Sequence, residues 1–161
     1  MRITEEEYQV LERIAEERHR IHKNQKSHRK FSDNYELKGI IGEYCFAKKY
    51  NLPFDEKLRP SGDGRKDFIV GKFSLDVKTA SIPNNLIVEK DKRHAVILIL
   101  AGISEDLREI TFLGWELSAI MKYMPFKDFG YKVINHYLNK KDLRPMDQLE
   151  IIIKKEIENL P

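Results

Sequence analysis

The sequence predicts an α/β fold in a single domain, with a central sheet between helical additions at both ends. Apolar residues recur at helical spacing near each terminus, whereas from Pro53 to Gly114 the period falls to two. A chain of 161 residues with 41% hydrophobic residues can bury one sizeable core.

Thr4 followed by Glu7 reads as a capping box, and Tyr8, Leu11, Ile14, Ala15 and Arg18 continue at helical spacing. A first helix is therefore expected from Thr4 into the basic stretch beyond residue 18, with Arg20, Lys23 and Lys26 on one face. Ser32-Asp33 signals a second helix start, and Leu37, Ile40, Ile41, Tyr44 and Ala47 follow until Asn51 and Pro53 stop it. This helix carries Glu43. Glycines at 39 and 42 each cost a helix roughly 1 kcal/mol relative to alanine, so close packing of the helix on the sheet is expected there. Strands are expected near 54–58, 66–70, 73–79, 86–89, 95–101 and 109–114. Trp115, Ala119, Ile120 and Tyr123 suggest a short helix. Met146, Leu149, Ile152, Ile153, Ile157 and Leu160 mark a terminal one after Pro145.

One cysteine, Cys45, leaves no disulfide framework and reads as a small buried hydrophobe. The N-terminus lacks the apolar core of a signal peptide, and the longest apolar run, Ala95 to Ala101, is too short for a bilayer. These features predict a cytoplasmic protein with no membrane partner. The net charge of +3 is unevenly spread. Residues 1–17 hold six glutamates against two arginines, whereas residues 18–30 hold six Lys/Arg, three His and no acid. Such a block suits a polyanion, although a solvated helix face has the same composition.

The stretch Lys66 to Thr79, KDFIVGKFSLDVKT, places Gly71-Lys72 as a two-residue turn between alternating runs. Pairing Val70 with Phe73 brings Ile69 to Ser74, Phe68 to Leu75 and Asp67 to Asp76. Opposed residues have Cβ atoms about 4.5 to 5.5 Å apart, so two carboxylates there call for a cation. An all-oxygen site suits Mg²⁺, or Mn²⁺ in its place. Alternation puts Ser74, Asp76 and Lys78 on one face and Phe73, Leu75, Val77 and Thr79 on the other. The plainer alternative is a solvent-facing pair neutralised by Lys66 and Lys78.

Asp67, the tripeptide Asp76-Val77-Lys78 and the helical Glu43 together resemble the PD-(D/E)XK phosphodiesterase superfamily over roughly residues 34–122. Lys66 stands here where the name-giving proline would precede Asp67. Asp63, within Pro60-Ser61-Gly62-Asp63-Gly64, is the competing first aspartate, although its glycine neighbours read as a turn. The resemblance implies a restriction-endonuclease-like mixed central sheet flanked by helices. It also implies a Mg²⁺-dependent endonuclease acting on DNA, with Glu43, Asp67, Asp76 and Lys78 as catalytic residues. Asp67 and Asp76 would hold the metal and Lys78 would orient water or stabilise the transition state. Glu43 would ligate the metal, directly or through water, or accept a proton. Arg20, Lys23, Lys26, Arg29, Lys30 and Arg65 are the candidate nucleic-acid contacts. Pro83 argues against a full crossover helix between the D-V-K strand and Ala95.

The alternatives are a catalytically silent nucleic-acid-binding module of the same fold and an RNA-directed nuclease. Cutting two strands would require a two-fold homodimer. His19, His22 and His28 lack a fourth ligand for zinc. Ser74 and Arg65 are weaker candidates for phosphate contact, and Trp115 and Phe112 read as core rather than as base-stacking residues.

Overall fold

The computed structural model describes residues 1–22, 34–54, 66–130 and 132–159. Helix α1 spans Glu5–His22 and α2 spans Tyr35–Tyr50. Strands β1 (Phe68–Val70), β2 (Phe73–Ala80), β3 (Asn85–Glu89), β4 (Ile97–Ile103) and β5 (Ile110–Leu117) follow. Then come the short helix α3 (Ser118–Met121), β6 (Phe126–Asp128), β7 (Ile134–Asn139) and the terminal helix α4 (Met146–Glu158).

The capping box forms as predicted: Thr4 N–H donates to Glu7 Oε2 at 2.8 Å and Glu7 N–H to Thr4 Oγ1 at 3.2 Å. Leu11 and Ala15 are buried and Arg18, at the end of the same stripe, is half-buried. Helix α2 ends where Asn51 turns to a left-handed φ of 52° and donates to the Ala47 carbonyl.

Two sheets result. A mixed four-stranded sheet has the order β1-β2-β4-β5, with β2 and β4 parallel and the other neighbours antiparallel. An antiparallel sheet has the order β3-β7-β6. The parallel step from β2 to β4 is usually bridged by a helix. Pro83 lies in this connection, which instead sends β3 into the second sheet, as the proline suggested.

The four-stranded sheet separates two cores. Leu75, Val77, Ile97 and Ile99 face the apolar residues of α1, α2 and α4. Leu98 and Leu100 face Leu86, Val88 and Met121. Strand β4 is thus covered on both faces, which explains its unbroken apolar run. Gly42 has the packing role predicted for it, since a Cβ there would stand 1.9 Å from Thr79 Oγ1 on β2. Gly39 does not: among the described residues its added Cβ would meet only Glu43 Oε1, at 4.0 Å.

Four expectations need adjustment. Residues 52–54 carry no strand, and 55–58, the rest of that prediction, lie outside the described residues. Trp115 belongs to β5 rather than to the following helix, because the strand runs on to Leu117. Strands β6 and β7 were not anticipated; their polar and aromatic residues lack the clean alternation of a half-buried strand. Ile157 is 38% exposed, so it lies outside the buried stripe of α4, which is Leu149 and Ile153.

Candidate active site

The hairpin register is Val70↔Phe73, Ile69↔Ser74 and Phe68↔Leu75, with Gly71 at φ 54° in the turn. The ladder then stops, one step short of the predicted Asp67–Asp76 opposition. Continued pairing would bond Val77 N–H to the carbonyl of Lys66. Instead Asp67 Oδ2 accepts that bond at 2.6 Å, while Asp67 N–H donates to the Leu75 carbonyl at 2.8 Å. A side chain has replaced a main-chain acceptor, so Asp67 straddles Asp76 rather than facing it across a ladder rung. The predicted neighbourhood survives; the predicted pairing does not.

Asp76 is 3% exposed, so it is not the solvent-facing residue of the plainer alternative. Its Oδ2 lies 2.6 Å from Lys78 Nζ, an ion pair in which the oxygen is buried and the ammonium partly exposed. The same oxygen meets no donor at hydrogen-bonding angles, so the contact is electrostatic rather than a well-formed hydrogen bond. Ser74 is also committed, its hydroxyl accepting from Val96 N–H at 3.0 Å. That bond ties the start of β4 to the margin of the site.

Glu43 approaches from α2. Arg18 Nη1 donates to Glu43 Oε2 at 3.3 Å, with 21% and 18% of the two side chains exposed. The carboxyl of Asp67 is pushed well above its usual range, first by burial and then by the negative charges of Glu43 and Asp76. The Val77 N–H bond and the Lys78 charge act in the opposite sense without overcoming them. Three acids from three elements therefore share one electrostatic field, and Asp67 bears the strain.

This donor set fits a hard divalent cation to a limited degree. Among the described residues, no group of three or more His, Cys, Asp or Glu side chains is arranged to hold one ion. Asp67 and Asp76 supply oxygens and mutual repulsion that a cation would relieve, and Mg²⁺ is commonly held by one or two carboxylates with water and substrate phosphate. Glu43, engaged by Arg18, stands as an outer carboxylate of such a site.

Arg20 is exposed on the last turn of α1. Lys23, Lys26, Arg29, Lys30 and Arg65 lie outside the described residues, as do Asp63 and the side chains of His22 and His28. His19 stands 3.8 Å from Glu36. Trp115 is buried and donates from Nε1 to the Pro145 carbonyl at 3.0 Å, and Phe112 is half-buried against the core, edge-on to Phe46, so neither is laid open for base stacking. Arg18 is the site residue that the sequence reading missed. The helical stripe placed Arg18 beside the core, but nothing in the linear pattern pointed to Glu43 as its partner. Comparison of the chain with family models, with curated proteins and with solved structures finds no match to any of them.

Proposed function

We propose that this chain is a divalent-metal-dependent nuclease of the PD-(D/E)XK type, with a restriction-endonuclease-like core formed by α2, the β1-β2 hairpin, β4 and β5. The observation that carries the reading is the Asp67 carboxyl, hydrogen-bonded to Val77 N–H between Asp76 and Lys78 and driven upward by burial and by Glu43 and Asp76. A surface pair of aspartates would not be gathered in this way, because like charges brought together out of water are costly unless a cation or a reaction uses them.

Asp67 and Asp76 would hold Mg²⁺, or Mn²⁺ in its place. The bound ion supplies Lewis-acid polarisation of the phosphate and a water of lowered pKa. Lys78, 41% exposed, can turn its ammonium from Asp76 toward a phosphoryl oxygen and stabilise the charge that develops there. Val77 N–H fixes the Asp67 carboxylate, so the hairpin backbone sets the orientation of the metal-holding oxygen. Glu43 adds negative charge from the helix side, and Arg18 limits how much of it Asp67 feels. DNA is the proposed substrate, with RNA as the alternative polymer. Cutting both strands of a duplex would need two copies in two-fold symmetry.

A second reading has its own observation. Glu43 and Asp76 are each met by an internal cation, Arg18 and Lys78, which suits a metal-free nucleic-acid-binding module. The test is cleavage of labelled duplex, single-stranded and branched DNA, and of RNA, with Mg²⁺, Mn²⁺ or EDTA, by wild type and Lys78→Ala. Metal-dependent cutting that the variant lacks supports the nuclease. Binding to these polymers without cutting in any metal supports the module.

A further inference from the structure

We propose that the sheet β3-β7-β6, with the connection from β3 to β4, is a stacking platform for an unpaired strand of nucleic acid. Residues 119–144 carry six Lys/Arg against two acids, together with five Phe or Tyr residues. The β3–β4 connection adds Lys90, Lys92 and Arg93, all exposed, against Asp91 and against Glu89 at the end of β3, which pairs with Lys92. Cations meet aromatic rings on both faces of this sheet, because Phe126 and Lys127 are neighbours on β6 and point opposite ways. Lys90 Nζ lies 4.0 Å from the centre of the Phe126 ring, and Lys127 Nζ lies 4.6 Å from Phe129 and 5.2 Å from Tyr137.

Two of the aromatic side chains are largely exposed. Tyr123 is 85% exposed and Phe126 is 55% exposed. Ile134, 42% exposed, lies two pairs along from Phe126 on the β6-β7 ladder, on the same face. Exposed aromatics beside ammonium groups offer flat faces to bases and positive charge to the phosphates between them, the combination that sequence-tolerant single-strand binding uses. Charge complementarity thus selects a polyanion over an apolar protein partner.

The platform is also joined to the candidate active site. Lys90 N–H donates to the Ile134 carbonyl at 3.0 Å, which fixes one end of the β3–β4 connection on the second sheet. The other end is fixed by the Val96 N–H bond to Ser74, and Leu98, two residues on, pairs with Asp76. The inference needs neither metal nor cleavage, so it stands or falls apart from the nuclease reading.

The test is fluorescence anisotropy in EDTA with labelled single-stranded DNA, single-stranded RNA and a duplex of equal length, using wild type, Tyr123→Ala and Phe126→Ala. Both side chains are largely exposed, and circular dichroism melts would verify that the variants fold. Each substitution is expected to weaken single-strand binding about tenfold, with a clearly smaller loss on duplex. Photocrosslinks from 5-iodouracil in the single strand should map to Phe126, Tyr123 or their neighbours on β6. The proposal is overturned if both variants bind the single strand like wild type, if duplex binding falls equally, or if crosslinks map only elsewhere. It is overturned as well if sedimentation shows a wild-type dimer that the variants lose, since a second copy would then be the occupant.

Discussion

At the scale of single residues, Asp67 decides between a structural and a functional site. Its raised pKa makes its ionised form a liability in the folded state at neutral pH, and burial and the Glu43 and Asp76 charges are the causes. A group whose folded pKa is raised in this way subtracts stability once the pH exceeds its unfolded value. Asp67→Asn can still accept the Val77 N–H bond while removing the charge. We expect the variant to melt above wild type in EDTA, and Mg²⁺ or Mn²⁺ to raise the melting temperature of wild type but not of Asp67→Asn; a variant melting below wild type would contradict the strain. Glu7 has the opposite sign. Burial pushes its carboxyl up, but hydrogen bonds from Lys48, Tyr44 and Thr4 N–H outweigh that and bring it down to about 2 from 4.5. Its contribution is complete above pH 4.5 and is lost as the pH falls toward 2. Glu7→Gln should therefore cost stability at pH 7, about 1–2 kcal/mol, and much less near pH 2, as read by denaturant titration at each pH. Both aspartates and Lys78 were legible as a motif. Arg18 was not, because a cation's partner twenty-five positions away is set by helix packing.

At the scale of elements, the seam between α2 and β2 positions Glu43. Gly42 permits it, since any Cβ would collide with Thr79. Gly42→Ala is expected to destabilise the fold by about 1–3 kcal/mol despite the better helix propensity of alanine, as overpacked interfaces do. It should also weaken the Mg²⁺-induced rise in melting temperature by moving Glu43 away. Gly39→Ala, with open space around the added carbon, is the control and should leave both nearly unchanged. The two glycines look alike in sequence, and only the crossing of helix over strand separates them. The hairpin shows the same division. Gly71-Lys72 and the alternation set the register as far as Phe68 and Leu75, but not that a carboxylate would displace the next backbone acceptor.

At the scale of the whole molecule, β4 joins two cores through one strand, with Ile97 and Ile99 on one side and Leu98 and Leu100 on the other. The two layers are expected to unfold together. Leu98→Ala should lower stability by about 2–5 kcal/mol, with the near-ultraviolet signal of Trp115 and the far-ultraviolet signal falling in one transition. Separate transitions would mean that the β3-β7-β6 layer is an independent unit. Among the described residues, no helix is long and apolar enough to cross a membrane.

The sequence by itself determined the order of α1 through β5, the terminal helix, the turn at Gly71, the buried Cys45 and the grouping of Asp67, Asp76 and Lys78, because helical spacing, alternation and turn chemistry are local. Tertiary structure alone decided that β3 leaves for a second sheet, that Asp76 is buried, that Asp67 caps Val77 and that Arg18 meets Glu43. Those outcomes depend on which surfaces meet across long separations, where packing and charge are balanced between segments that carry no sign of each other in the linear pattern.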